Sequence, residues 1–492
     1  MQSSITAIAT GRRKWLALAV IVAAQFMVVL DIAIVNVALP AIKTNLNFSQ
    51  DDLQWVISAY AIMFGGALLL GGRLADIFGR RRLLMIGLAL FSVSSLLCGI
   101  AWSEPSLIAF RSLQGLGGAL LAPAALSLLM TTFAEGSERN RALGIWGAAS
   151  GSGGAAGVLL GGFLTSYLGW SWVFFINVPV GIAVIAATPF VLQESYGRDG
   201  HRHFDFSGAV TATSGVMLLV YALSRTPQDG WASVSTVSML AASVALLAGF
   251  IAIEIRSPAP LLPLRIFRMR SLTAANGTAL MIGGIAFSQF FLLTLYMQQV
   301  LGYSALETGV AFAATTISII VFSNVAQRAV TRYGVRAALT AGLVLDAVSL
   351  AELTRLPVDG HYFWDMFPAF VIGGIGLAFS FVPVTIAGLT GVSRADAGIA
   401  SGLINTSRQV GGAIGLAAVT TIVADYTTSG SGAAAAASGL THGFQVGFLV
   451  LAAMALVGAA IAGTLLKPQP QTAGPEVERV ASETPHAMEE AA

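Results

Sequence analysis

Apolar residues come in long runs broken by short polar stretches, without the two-residue alternation of a half-buried strand. A helix needs about 20 mostly apolar residues to cross the hydrocarbon core of a bilayer. Only helices or closed barrels satisfy their backbone hydrogen bonds there, so these runs are predicted to be helices. Fourteen qualify: residues 15–39, 53–71, 83–101, 107–131, 142–164, 172–192, 206–224, 236–254, 275–301, 308–326, 337–353, 363–389, 398–425 and 444–466. Arg12, Arg13 and Lys14 precede the first, as in a secretory leader. That run is too long for a leader and contains Asp31, so it is read as a retained helix. The polar stretch after Lys467, rich in Pro, Glu and Ala, has the composition of disordered chain.

Composition agrees with the pattern. Of 492 residues 56% are hydrophobic and 10% charged, with a mean hydropathy of +0.79. So few charges cannot cover a water-soluble globule, which excludes a cytosolic enzyme and a disordered scaffold. A formal charge of +2 argues against a nucleic-acid partner. The single cysteine, Cys98, lies in an apolar run, leaving neither a disulfide framework nor a cysteine metal site. The sequence is that of an all-α polytopic membrane protein. With the N-terminus placed in the cytoplasm, only Lys43, Arg225 and Arg355 of the 26 Lys+Arg fall in outer loops, and Arg111 and Arg408 fall inside helices. That bias supports an even number of crossings with both termini inside.

The chain also repeats itself. Arg73, Gly79 and Arg81, after the second run, match Arg328, Gly334 and Arg336, after the tenth, at one constant offset. A nearly equal offset aligns Gly144, Gly157 and Gly161 of the fifth run with Gly398, Gly411 and Gly415 of the thirteenth. Two six-helix halves, 15–192 and 275–466, explain both offsets. Between them lie a loop and two inserted helices, 193–274; tails 1–14 and 467–492 flank the whole. Parallel repeats of this kind rock against one another around a central cavity.

Four stretches carry a family resemblance: Leu30-Asp-Ile-Ala-Ile-Val-Asn-Val-Ala-Leu-Pro40; Gly72-Arg-Leu-Ala-Asp-Ile-Phe-Gly-Arg-Arg-Arg82; Leu107-Ile-Ala-Phe-Arg-Ser-Leu-Gln-Gly-Leu-Gly-Gly118; and the fifth run with Gly144, Gly153, Gly157, Gly161 and Gly162. Over nearly its whole length the chain resembles the 14-helix drug:proton antiporters of the major facilitator superfamily. The resemblance implies two six-helix bundles plus two inserted helices, and alternating access driven by a proton gradient without a cofactor.

An ionised carboxylate inside a bilayer costs roughly 2.5–3.5 kcal/mol, so Asp31 reads either as a proton carrier or as a helix–helix hydrogen-bonding group. Asn36, about 140° further round the helix, reads as an interhelical hydrogen bond. Arg111 either pairs with Asp31 across the first and fourth helices or snorkels to the outer interface. Gln114, one turn on, is a substrate-contact candidate. Gly72, Asp76, Gly79, Arg80 and Arg81 are implied to brace the cytoplasmic gate, with Gly79 making a tight turn and Asp76 accepting from a helix N-terminus or an arginine. Thr331 replaces the acid in the second copy, which predicts a weaker brace. The glycines of the fifth helix are implied to pack closely on a neighbour, but Val158 stands where the family places proline. Gln289 and Tyr296 on the ninth helix, with Asn405 and Gln409 beside Arg408 on the thirteenth, are further pocket candidates. Asp346 is ranked below Asp31 because its helix is peripheral in the family.

Gly151-Ser-Gly-Gly-Ala-Ala156 imitates a dinucleotide fingerprint inside a membrane helix and is discounted. No nucleotide-binding Gly-x-x-x-x-Gly-Lys string occurs, so an ion gradient is the expected energy source. The expectation is a monomeric exporter of amphipathic small molecules in a bacterial cytoplasmic membrane. Two alternatives stay open: a dedicated exporter of one endogenous metabolite, and a membrane sensor or membrane-embedded enzyme, for which His201 and His203 would be the only cluster.

Overall fold

The computed structural model describes residues 2–48, 52–53, 55–134, 136–196, 205–257, 260, 262–393, 396–427 and 433–466. His201, His203 and the tail from 467 lie outside them. Among the described residues the chain is helical and contains no strand. The first half runs α1 (Gln2–Leu46), α2 (Trp55–Phe78), α3 (Arg80–Gly99), α4 (Glu104–Thr132), α5 (Ser137–Tyr167), α6 (Trp172–Phe175) and α7 (Asn177–Val191). The insertion is α8 (Phe206–Asp229) and α9 (Val234–Arg256). The second half is α10 (Arg270–Leu295), α11 (Ala305–Ala311), α12 (Ala313–Leu353), α13 (Phe367–Leu389), α14 (Ala397–Thr427) and α15 (Ala433–Leu465).

Among the described residues eleven helical stretches, with α6 and α7 taken as one, are long and apolar enough to cross a membrane. α5 makes a twelfth, as one span bent by 41° between Ser137–Gly154 and Ala156–Tyr167. The expected crossings 308–326 and 337–353 run together in α12, but the backbone leaves helical geometry at Gly334 (φ 83°, ψ 161°). The thirteenth expected crossing is the 31-residue α14. The described helices are therefore consistent with fourteen crossings. The bend in α5 occurs beside the Gly153–Gly154 pair and needs no proline at Val158.

Within the first half α4 packs on α2 and α3, and α1 on α5; within the second α12 packs on α13, and α10 on α14 and α15. The halves meet where α5 lies on α12 and α13, and where α2 lies on α14. Close approach follows from small residues. A Cβ at Gly117 of α4 would fall 2.6 Å from Phe91 N of α3, so only glycine lets these backbones touch. The inserted α8 lies against both α2 and α14, spanning the seam between the halves.

Candidate functional site

Asp31 lies on α1 and is fully buried. Its Oδ2 accepts from Arg111 Nη1 of α4 at 2.7 Å. Its Oδ1 accepts from Gln114 Nε2 of α4 and from Asn177 Nδ2 of α7, both at 2.8 Å. Arg111 also donates through Nη1 to Gln114 Oε1 at 2.7 Å and through Nε to Val56 O, at the start of α2, at 2.9 Å. Its guanidinium carbon lies 4.4 Å from the centroid of the Tyr60 ring and 5.7 Å from that of Phe174. Behind Asp31, Ser95 Oγ of α3 accepts from Gln114 at 3.1 Å and from Asn177 at 3.0 Å, and donates to Phe174 O at 2.8 Å.

Three helices, α1, α4 and α7, thus meet at one carboxylate, and α2 and α3 hold its donors. Every group facing Asp31 is a donor, the set that complements an acceptor-only anion. Arg111 is 1% exposed and points inward; it does not snorkel. Gln114 is fully buried and belongs to the carboxylate cage. Asn36 bonds the carbonyls of its own helix, Ile32 at 2.9 Å and Ala33 at 3.4 Å, and not a neighbouring helix as expected. The reason is local: with a carbonyl one turn back in reach, its short amide closes on the backbone.

Asn177, Ser95 and Tyr60 were not singled out from the sequence. Asn177 carried a usable signal, an uncharged polar group inside an apolar crossing, which has to find a partner at depth.

At the junction of α2 and α3 Asp76 Oδ1 accepts from Arg80 Nε at 3.0 Å and Nη2 at 2.7 Å. Gly79, with φ 103°, makes the turn into α3. Asp76 Oδ2 has no hydrogen-bond partner among the described residues and faces the first turn of α14. A Cβ at Gly398 would lie 2.6 Å from that oxygen, and one at Gly72 would lie 2.5 Å from Gly398 O. The acid therefore sits at the positive end of a helix from the other half. Glu194 completes the corner: its carboxylate accepts from Arg81 N at 2.9 Å and Arg82 N at 3.2 Å, capping α3. Arg81 also donates to Leu192 O at 3.3 Å. In the second copy Gly334 keeps the turn, while Thr331 donates to Gln327 O of its own helix at 3.1 Å.

The glycines of α5 face two ways. A Cβ at Gly153 would lie 2.9 Å from Val29 Cβ, one at Gly157 2.8 Å from Leu30 O, and one at Gly161 2.8 Å from Ile34 O, all on α1. Gly162 is buried beside them. Gly144 is half a turn out of phase and meets Gln327 of α12 at 3.0 Å, on the face where Gly147 meets Val382 of α13 at 2.8 Å. Near the other end, a Cβ at Gly309 would lie 3.1 Å from Val158 O, so the halves touch at both ends of α5.

The remaining pocket candidates separate. Tyr296 is buried against Phe444 and donates to Pro357 O at 2.6 Å, a tether within the second half. Gln289 is 5% exposed, with Oε1 lacking a partner among the described residues. Asn405 accepts from Arg408 Nη2 at 2.6 Å, and Gln409 is half-buried where a Cβ at Gly65 of α2 would lie 3.5 Å from its Cβ.

Residues 21–416 match the Major Facilitator Superfamily family profile. The chain belongs to the major facilitator superfamily. As a superfamily member it is a multi-pass membrane transporter. It is 37% identical over 474 residues to the puromycin resistance protein pur8 of Streptomyces alboniger, covering 94% of this chain and 93% of that one. It is 40% identical over 408 residues to the cephamycin export protein CmcT of Amycolatopsis lactamdurans, covering 82% and 84%. To the tetracenomycin C resistance and export protein of Streptomyces glaucescens it is 38% identical over 416 residues, covering 84% and 76%. The crystal structure of human MFSD10 superposes with a TM-score of 0.66 at 14% identity over 91% of this chain and 99% of that one, a likeness of superfamily fold.

Proposed function

We propose that this chain exports amphipathic antibiotics or drugs across a bacterial cytoplasmic membrane in exchange for protons, with both termini in the cytoplasm. The observation that carries the reading is the buried Asp31–Arg111 pair inside its cage of amide donors. Relatives named for resistance to, or export of, puromycin, cephamycin and tetracenomycin C support the substrate class. The protein acts as a transporter and not as an enzyme, works as a single copy, and draws energy from the proton gradient without a cofactor.

In this mechanism rocking of the halves is coupled to a shift of α1 against α4 within the first half. Once Arg111 withdraws, the carboxylate of Asp31 takes a proton from the outside; when the pair re-forms the proton leaves to the cytoplasm. Substrate favours the state in which Asp31 is paired, so proton and drug alternate. The membrane potential adds about 2.3 kcal/mol per charge per 100 mV.

In proteoliposomes carrying an imposed pH gradient, Asp31→Asn is expected to abolish proton-driven efflux while substrate still binds. Gradient-driven efflux at the wild-type rate by that variant would remove Asp31 from the mechanism. Since each of those relatives is named for one antibiotic, a dedicated exporter of a single metabolite is the second reading. Competition among unrelated drugs for efflux separates the two.

A further inference from the structure

Arg408 lies eleven residues beyond the start of α14, at Ala397. That is about 16 Å along the helix axis, roughly half the thickness of the hydrocarbon core. It does not snorkel back to the cytoplasmic surface: it is 7% exposed. Its one described hydrogen bond runs from Nη2 to the neutral Asn405 Oδ1 at 2.6 Å. A guanidinium carries five N–H donors in a rigid fork, and this bond engages only one nitrogen of it. No carboxylate lies within ion-pair distance of it among the described residues, in contrast to Arg111. A cation at the bilayer midplane is costly and persists where it has a partner or a task.

The position says what that task is. The guanidinium carbon lies 5.6 Å from the centroid of the Phe381 ring on α13. A Cβ at Gly151 of α5 would lie 3.7 Å from that same ring, so Phe381 lies on the boundary with the first half. The neighbouring Gln409 meets Gly65 of α2 across the other part of that boundary. Arg408 therefore sits at mid-depth in the second half beside its boundary with the first, next to the place where transporters of this design hold their cargo. A planar fork of donors matches a carboxylate, and an aromatic face beside it takes an apolar body.

We propose that Arg408, Asn405 and Phe381 form a subsite for the acidic group of an amphipathic organic anion, with the carboxylate on the Arg408 fork and the apolar portion against Phe381. The inference rests on the export reading only for the direction of transport; the binding claim stands apart from it. The anion takes the place of the missing counter-ion, and an uncharged analogue offers the fork only a weaker neutral acceptor.

The test uses the full-length protein in phosphatidylcholine nanodiscs and three pyrene probes: pyrenebutyrate, its methyl ester and a pyrenebutyl trimethylammonium. Binding is read by energy transfer from tryptophan. The wild type is expected to bind the carboxylate at least about tenfold more tightly than the ester, the worth of one charge-assisted pair. Arg408→Gln is expected to erase that preference, with its thermal unfolding in detergent as the folding control. Arg408→Lys should keep part of the preference, and Phe381→Leu should weaken carboxylate and ester alike. No carboxylate preference in the wild type, or the same preference in Arg408→Gln, overturns the proposal. If Arg408→Gln does not fold, an undiminished preference in Arg408→Lys does so, because an ammonium lacks the fork. Nanodiscs enriched in phosphatidylglycerol separate the two sources of an anion: loss of the preference there assigns the fork to a lipid phosphate and overturns the cargo claim. Efflux without proton coupling, with the preference intact, would remove the export mechanism and leave the subsite standing.

Discussion

Each half of the molecule buries one acid and one arginine at depth, and the two halves treat them in opposite ways. In the first, Asp31 and Arg111 meet at 2.7 Å and share Gln114, closing a network that neutralises itself. In the second, acid and base stay apart. Asp346 of α12 accepts from Ser380 Oγ of α13 at 2.8 Å, and its other oxygen lacks a partner among the described residues. Arg408 rests on Asn405 and the Phe381 ring. The repeat has kept the backbone, including the turn at Gly79 and at Gly334, and has redistributed the charges. A self-neutral pair suits a proton switch, because opening it exposes both partners at once. An unmatched cation suits a ligand that brings its own charge.

The sharpest way to break that comparison is to neutralise each arginine in turn. Arg111→Met strands Asp31 among its remaining donors and should cost about 3–5 kcal/mol, as for one partner removed from a buried pair. Arg408→Met removes a cation that has no counter-ion and should leave stability unchanged or raise it. Thermal unfolding in detergent checks both; equal losses would mean that Arg408 has a structural partner.

The two faces of α5 offer a second contrast. Gly157→Leu forces a side chain into α1 and should destabilise by about 1–3 kcal/mol. Gly147→Leu meets Val382 across the boundary between the halves, so it should slow transport more than it lowers thermal stability. A third contrast lies within the first half. Asn177→Ala removes a donor from Asp31 and another from Ser95, for about 1–3 kcal/mol. Asn36→Ala loses only bonds to its own helix and should change stability by well under that. Loss of coupling in Asn36→Ala but not in Asn177→Ala would reverse the assignment of the cage.

What could be read from the sequence follows from the physics that placed each residue. Crossings were legible because the bilayer demands about 20 apolar residues whatever packs beside them. Asp31 and Arg111 were legible as chemistry because charge at depth is rare. Their pairing was not fixed, since a long arginine can reach outward or inward and only the packing of α1 on α4 decides. Ser95 was hidden, and the partner of Asn177 with it, because polar residues in a crossing serve backbone carbonyls as readily as side chains, as Asn36 does. Gly144 was grouped with the other glycines of α5 by spacing, and only the neighbours of that helix show that it faces Gln327.

The smallest expected effect bears most directly on the opening contrast. Asp346 faces α13, where a Cβ at Gly376 would lie 2.8 Å from its Cγ, and not the boundary between the halves. Its described surroundings supply one donor, Ser380 Oγ, which an amide oxygen accepts as well as a carboxylate does. Asp346→Asn should therefore cost about 1 kcal/mol or less and leave gradient-driven efflux close to the wild-type rate. The measurement is efflux against the imposed pH gradient, with Asp31→Asn beside it. Loss of coupling in Asp346→Asn would place a second proton carrier in the half that lacks the arginine pair, and the division into a proton-switching half and a cargo-holding half would fall.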